Sequence, residues 1–432
     1  MTSANDTIFA VASGQPPAAI AIMRISGPDA VAAAVAIAGP LPSPRHASLR
    51  ALRAPTTDDL LDRALVIHFP GPATATGEDM VELHLHGGRA VIAAVAAALG
   101  RMPGLRPAEA GEFTRRALMS GRIDLAEAEG LGDLLTAQTE SQRRAAIASV
   151  DGAVGRAVAG WSARLLEISA QVEAALDFSD EDDVGEAPVN AIHASVALLA
   201  ADLAAILAAP PVERLHHGIR VVLAGPPNSG KSTLLNALAD RDVSIVSPIA
   251  GTTRDRIEVG VVRDGVAYLL TDTAGLASAT DDPIEAMGIE RARASLATAD
   301  IILWLGDDAP EAGRSALWLW PRADMATRSA TVPEGRIAVS AQSGLGLDRL
   351  WAKIGDAARA LLPRDDQLAL NHRQRGLCGD CAAALAEIDG QDDLLIIAEQ
   401  LRLARAALDR ITGATHVEAM LDALFGRFCI GK

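Results

Sequence analysis

The first 118 residues alternate short apolar runs with turn residues, and in one run the apolar positions recur with a period of two. Residues 19–25 run into Ser26-Gly27-Pro28, and residues 64–69 run into Pro70-Gly71-Pro72, so both runs read as strands. In Val81-Glu82-Leu83-His84-Leu85-His86-Gly87-Gly88 this period places Val81, Leu83 and Leu85 on one face and Glu82, His84 and His86 on the other. From Ile123 the spacing becomes helical, through Leu131, Leu134 and Leu135 and then Leu165, Leu166, Val172 and Leu176. Residues 177–188, with Asp180-Glu181-Asp182-Asp183, Gly185 and Pro188, read as an acidic break before an alanine-rich helix at 190–208. An α/β pattern fills residues 220–362. Helical spacing then returns at Leu401, Leu408 and Ile411 and again at Val417, Met420, Leu421 and Leu424. The prediction is a multidomain α+β and α/β chain: an N-terminal domain (1–118), a helical domain in two parts (119–214 and 366–432), and an α/β domain (215–365) inserted between them.

Composition sharpens this picture. At 432 residues the chain is too long for one core, and its apolar half is alanine and leucine with only 3% aromatics, which favours helices. A net charge of -16 excludes coating of nucleic acid by bulk electrostatics, so any RNA contact must be local. Three cysteines, Cys378, Cys381 and Cys429, and no basic-then-apolar leader point to a reducing cytoplasm. Apolar runs such as residues 90–99 are expected to be too short to span a bilayer, so no membrane association is expected. Of 39 basic residues only Lys231, Lys353 and Lys432 are lysine, which singles out positions where a compact ammonium does what a guanidinium cannot.

The inserted domain carries the clearest chemistry. Val221-Val222-Leu223-Ala224 runs into Gly225-Pro226-Pro227-Asn228-Ser229-Gly230-Lys231-Ser232, with Thr233 and then the helix formers Leu234-Leu235-Asn236-Ala237-Leu238. Strand, glycine-rich loop and helix together form a phosphate cradle: backbone N–H groups wrap the phosphates, Lys231 reaches the β and γ groups, and Ser232 ligates Mg²⁺. Gly251-Thr252-Thr253-Arg254-Asp255 follows as a first switch, with Thr253 placed to sense the γ-phosphate through Mg²⁺. A hairpin turned at Asp264-Gly265 then delivers Asp272-Thr273-Ala274-Gly275, in which Asp272 faces the Mg²⁺ and the Gly275 N–H faces the γ-phosphate. This order and spacing are those of a small GTPase.

For the base, Pro321-Arg322-Ala323-Asp324 stands where guanine-specific enzymes carry Asn-Lys-x-Asp. Asp324 pairs with guanine N1 and N2 and Arg322 stacks on the ring, but Pro321 supplies no side-chain amide. Ser340-Ala341-Gln342 after the strand-like Ile337-Ala338-Val339 reads equally as a base-contacting loop or as an ordinary strand end. Leu276, after Gly275, cannot polarise water. Glu285 is a candidate for that task, and on its own it reads equally as a solvated carboxylate at a helix start.

Thr76-Gly77-Glu78-Asp79-Met80-Val81-Glu82-Leu83-His84-Leu85-His86-Gly87-Gly88, Gly111-Glu112-Phe113-Thr114-Arg115-Arg116-Ala117, the GTPase motifs and the terminal Phe428-Cys429-Ile430-Gly431-Lys432 together resemble the MnmE (TrmE) family, over nearly the whole chain. The resemblance implies an N-terminal domain that dimerises and binds a formyl-tetrahydrofolate-type folate, a helical bundle, and an inserted Ras-like P-loop G domain. It implies a K⁺-stimulated GTPase that, with the flavoprotein MnmG in a heterotetramer or larger complex, installs an aminomethyl-type (carboxymethylaminomethyl) group at C5 of the wobble uridine of certain tRNAs. By position, folate contacts fall on Arg24, Glu82, Arg122 and Lys432. Arg122 stands where the family commonly has lysine. The K⁺ ligands become Asn228, Ser247, Ile249 and Thr252, with Ser247 in place of the usual threonine. Glu285 becomes the water-orienting glutamate, and Cys429 a candidate catalytic thiol whose alternative is a small anchor packed with Phe428. A different class stays open: a nucleotide-switch scaffold, like ribosome-assembly GTPases, without one-carbon chemistry.

Three further constellations read more plainly. Cys378-x-x-Cys381 lacks the second pair that zinc needs. His84-x-His86 with Glu82 reads as the polar face of a folate-binding strand rather than a metal site. Arg115, Arg116, Arg143 and Arg144 are candidates for a local tRNA patch or are solvated charge.

Overall fold

The computed structural model describes residues 6–177, 187–239, 243–245, 258–273, 295–310, 316–326, 328, 331–364, 367–414, 418–426, 428 and 430–431. The chain forms two compact units, one of residues 1–132 with 412–432 and the other of residues 133–411.

In the first unit six strands form one sheet: β1 (Thr7–Val11), β2 (Ile20–Ser26), β3 (Ser48–Arg53), β4 (Leu60–Phe69), β5 (Met80–His86) and β6 (Leu105–Pro107), in the order β3-β4-β5-β2-β1-β6. The period-two reading of β5 holds, since Val81, Leu83 and Leu85 are buried while Glu82 and His84 are half-buried on the other face. The inward face packs Met23, Ile25, Leu52, Val66 and Leu83 against the buried alanines of α1 (Ala30–Ala38) and against Val95 and Leu99 of α2 (Arg89–Gly100). Behind the sheet, α3 (Glu112–Met119) and α4 (Leu125–Thr136) share a small core with the last helix, where Leu118, Leu125 and Ala128 meet Leu421 and Phe425. The C-terminal residues are therefore built into this unit. Ala110 and Ile430 form an antiparallel bridge, and Gly431 lies so close to β1 that a Cβ there would stand 2.0 Å from the Val11 carbonyl oxygen. Only glycine fits that approach.

The second unit begins with helices α5 (Glu140–Val150), α6 (Ala153–Asp177) and α7 (Ala187–Ala208). Leu165 and Val172 of α6 are buried, but Leu166 is exposed, because adjacent helical positions cannot both face inward. The apolar-run expectation needs correction: within the 29-residue stretch Val189–His217 an 18-residue window reaches a mean hydropathy of 2.0, long and apolar enough to cross a membrane by length and composition. The leucines, isoleucines and valine of that window carry most of its hydropathy, and its alanines the rest. Ile192, Val196, Leu199 and Leu203 are buried at helical spacing, and α7 packs on α6 and on α11 (His372–Ala386).

A short helix, α8 (Glu213–His217), leads into β7 (Ile219–Ala224), which is followed by α9 (Lys231–Ala239), β8 (Val243–Ile245), β9 (Glu258–Arg263), β10 (Val266–Asp272), β11 (Ile301–Trp304), β12 (Ala316–Pro321), β13 (Ile337–Val339) and α10 (Leu347–Leu361). These strands make one sheet in the order β13-β12-β11-β7-β10-β9-β8, parallel from β13 to β10. The predicted hairpin is present, with Asp264 and Gly265 both at positive φ, as a tight two-residue turn requires. After α11 come α12 (Leu394–Thr412) and, in the first unit, α13 (Glu418–Phe425). Cys378 and Cys381 are fully buried in α11, and burial pushes their thiols up to about 11 and about 12. Both are inert packing residues.

Candidate functional site

β7 is flanked by β10 on one side and β11 on the other, so the chain leaves the carboxyl end of β7 at the point where strand order reverses. Ligands of parallel α/β sheets bind in the crevice at such a point. The loop 225–230 occupies it. Gly230 has φ +96°, a conformation open to glycine, and Asn228 also has positive φ at 58°. Lys231 opens α9 and is buried, with its ammonium donating to the carbonyls of Gly225 (3.0 Å) and Pro226 (2.8 Å). Burial holds that ammonium below the usual lysine range, against the opposing pull of the Asp272 carboxylate.

Ser232 donates its hydroxyl to Asp272 Oδ2, joining the first turn of α9 to the end of β10. One hydroxyl and one buried carboxylate converging there are oxygen donors of the kind Mg²⁺ takes. Ser229 Oγ is buried in the loop with no hydrogen-bond partner, a donor free for a phosphate oxygen. Thr273 donates to the Leu223 carbonyl at 2.8 Å and so pins the end of β10 to β7.

The base-recognition segment follows β12. Arg322 sits at φ 56° and its guanidinium donates to the Asn228 carbonyl at 2.5 Å, tying this segment to the phosphate loop. The Ala323 N–H donates to the Val339 carbonyl (3.1 Å), and Asp324 is exposed. Ser340 is buried directly after β13, with its N–H donating to Leu345 and its hydroxyl accepting from Ser343, while Ala341 is half-buried beside it. Asn228, Ser229, Gly230, Lys231, Ser232, Asp272 and Thr273 thus gather at one end of the sheet, and Asp324 lies on a loop anchored to the same end. Ser247, Ile249, Thr252, Thr253, Ala274, Gly275 and Glu285 lie outside the described residues, so the K⁺ set is represented by Asn228 alone.

In the first unit Arg24 of β2 pairs across the sheet with Glu82 of β5, donating to Oε1 from Nε at 3.1 Å and Nη2 at 2.8 Å. His84 Nε2 stands 3.4 Å from the other Glu82 oxygen, and the Phe113 ring lies 5.8 Å from the Arg24 guanidinium. Arg24, Glu82 and His84 are partly exposed and form a polar face, while Phe113 is buried beside Arg24. Arg122 donates to the Thr74 carbonyl (3.1 Å) and lines a cavity of about 390 Å³ with Leu118, Asp124, Glu127 and Gly413. Cys429 and Lys432 lie outside the described residues, although their neighbours Ile430 and Gly431 are fixed against Ala110 and Val11.

The sequence reading missed the charge network below this face. Arg106 forks onto Glu112 (2.8 and 2.6 Å) and reaches Asp6, and Arg116 joins Glu112 to Glu78, which accepts from Ser26. Glu112 is buried. Desolvation alone would raise its carboxyl, but the Arg106 hydrogen bonds, the Glu109 N–H and the two guanidinium charges together hold it below the usual range. Arg116 is thereby committed to structure. Arg115 pairs with Asp422, and Arg143 and Arg144 share Glu140, so each arginine of the suggested tRNA patch already faces a carboxylate.

Comparison with known proteins follows the same lines. The family model for the MnmE helical domain matches residues 125–429, and that for the GTP-binding protein TrmE N-terminus matches residues 7–122. A tRNA modification GTPase MnmE from Rhizorhabdus wittichii is 55% identical over 433 residues, spanning 100% of this chain and 97% of that protein. The protein of the same name from Erythrobacter litoralis is 56% identical over 428 residues, 99% of this chain and 100% of its own length. Among solved structures, the G domain of the T. maritima FeoB iron transporter is 22% identical, covering 32% of this chain and 98% of its own, with a TM-score of 0.25. Matched by both family models and more than half identical to these relatives from end to end, the chain belongs to the MnmE family.

Proposed function

We propose that this protein hydrolyses GTP in the service of tRNA modification, as the names of its relatives say of them. The observation that carries the reading is the junction of α9 and β10, where Lys231, Ser232 and Asp272 meet at the end of β7 beside the unpartnered Ser229 hydroxyl. Lys231 neutralises charge on the β and γ phosphates, and the loop N–H groups orient them. Ser232 and Asp272, with Thr253, would hold Mg²⁺, which when bound neutralises charge developing on the transferred phosphoryl. Ala274 and Gly275 complete the γ-phosphate pocket, and Asp324, Ser340 and Ala341 receive the base. Glu285 orients the attacking water.

Asn228, Ser247, Ile249 and Thr252 are proposed to hold K⁺ when two G domains pair, so that hydrolysis depends on a homodimer and drives a conformational change. Arg24, Glu82, Arg122 and Lys432 are proposed to hold the formyl-tetrahydrofolate-type folate, with Cys429 as the reactive thiol. Together with the flavoprotein MnmG the protein would add a carboxymethylaminomethyl-type group to C5 of the tRNA wobble uridine in the cytoplasm. The division into 1–118, 119–214, 215–365 and 366–432 belongs to the same reading.

Steady-state hydrolysis of GTP and of ATP, each in KCl and in NaCl, tests it. GTP turnover accelerated by K⁺, without ATP turnover, is the expected result. Equal rates in both salts would remove the K⁺ assignment, and equal use of ATP would overturn the GTPase reading itself.

A further inference from the structure

Parallel neighbours need a crossover connection, usually a helix that covers one face of the sheet. Here β11 is joined to β12 by residues 305–315 and β12 to β13 by residues 322–336, and neither connection contains a helix among its described residues. The two faces of this half of the sheet are therefore covered by different means. One face sends Leu303, Leu319 and Ile337 into the buried cluster with Leu350, Trp351 and Ile354 of α10. The other carries Trp304, Trp318 and Trp320, because Trp304 pairs with Trp318 and Trp320 lies two residues further along the same strand.

Two arginines cover these rings. The Arg336 guanidinium lies 3.9 Å from the Trp318 ring centre and 4.9 Å from that of Trp320, and its side chain is only 8% exposed. It donates to the Asp307 carbonyl and stands 3.6 Å from an Asp307 carboxylate oxygen, while its Nε is buried without a hydrogen-bond partner and the tryptophan faces lie against it. Arg328 lies 4.5 Å over the Trp320 ring and donates to both Asp307 carboxylate oxygens at 3.2 Å.

The same residues close the loop that bears Asp324. Trp320 Nε1 donates to the Arg328 carbonyl at 3.0 Å, and Arg328 Nη1 reaches back to the Pro321 carbonyl at 3.4 Å, so the indole holds Arg328 and Arg328 holds the start of the loop at Pro321. We propose that Trp320 and Arg328, backed by Arg336, are positioning residues for Asp324 and so determine how strongly this protein selects guanine. Among the described residues the tryptophan and arginine stack, rather than a crossover helix, supports that loop. This matters most in a chain where Pro321 provides no amide to fix the base.

The inference rests on the GTPase reading, and one set of assays separates the two. GTP and ITP differ only in the 2-amino group that Asp324 accepts from, so their ratio reports the position of Asp324. The full chain, Arg328→Ala and Trp320→Phe are compared for hydrolysis of GTP and ITP, with thermal midpoints. Arg328→Ala should raise KM for GTP about tenfold, the size of one lost charged hydrogen bond, and bring it to the ITP value with kcat within about twofold. Trp320→Phe keeps the stack but loses the Nε1–H donor, and should move the GTP to ITP ratio in the same direction by a smaller factor. An unchanged ratio in both variants overturns the proposal, as does an equal rise in KM for both nucleotides. If Arg328→Ala does not fold, Trp320→Phe decides alone. A parent protein that prefers neither GTP to ITP nor GTP to ATP would overturn the GTPase reading before any variant is compared.

Discussion

The phosphate loop and the N-terminal charge network use buried charge in opposite ways. At the loop, Lys231 is buried against two backbone carbonyls, and its ammonium is held below its ordinary range by that burial. In the N-terminal unit Glu112 is also buried, but it meets two guanidiniums and a backbone N–H, and its ionised form is the favoured one. A charge that costs its own fold something is suited to a ligand of opposite sign. A charge fully matched inside the fold serves the fold. The two should therefore separate cleanly under mutation, one costing activity and the other stability.

Lys231→Ala carries the largest expected effect on activity. Removing the ammonium should lower kcat/KM for GTP by about 10²- to 10³-fold, the usual loss for one charge-stabilising donor. The thermal midpoint should stay unchanged or rise, because a desolvated cation is removed along with it. A large fall in midpoint would break the comparison, since Lys231 would then be holding the loop together rather than serving the phosphates.

Glu112→Gln should do the reverse. It leaves Arg106 and Arg116 facing a neutral amide, and breaking a buried ion network by one partner costs about 3 kcal/mol. GTP hydrolysis should be retained. The pH dependence has a defined sign: the folded carboxyl titrates below its ordinary value of 4.5, so its contribution is complete above 4.5 and is lost as pH falls through the folded value. The gap between parent and variant in urea denaturation should narrow on acidification. A gap independent of pH would assign the loss to packing.

How legible each region was in the sequence follows from the same contrast. The phosphate cradle is local, since strand, loop and helix from Ile219 to Ala239 are contiguous and each glycine or lysine has one task. The alternation in β5 and the Asp264-Gly265 turn were legible for the same reason. Glu112 was visible only as a motif letter, because the ion network it joins draws Asp6, Glu78 and Arg106 from three other segments. Trp318 and Trp320 read simply as an apolar strand. Their arginine cover became visible only once β11, β12 and β13 were in register. The alanine-rich helix at 190–208 was legible as a helix, but its membrane-compatible hydropathy was not, because His193, Ser195 and Asp202 break its apolar residues into short runs.

His216 gives the smallest effect and the finest version of the comparison. It lies in α8 immediately before β7, where Gln142, which also caps α5, donates to the Leu215 carbonyl at 2.6 Å. Burial lowers the imidazole below 6.5, and the nearby Glu213 charge only partly opposes this. Asp133 stands 3.4 Å from Nε2, a looser match than Glu112 enjoys. A histidine with a lowered folded value binds fewer protons than it does unfolded, so stability rises with pH through the folded value and levels off above 6.5. His216→Gln should flatten that slope while leaving GTP turnover near the parental rate, as read by thermal midpoints across the acidic range. A variant that keeps the slope would place the titration elsewhere, and would show that burial beside one loosely placed carboxylate costs this fold nothing.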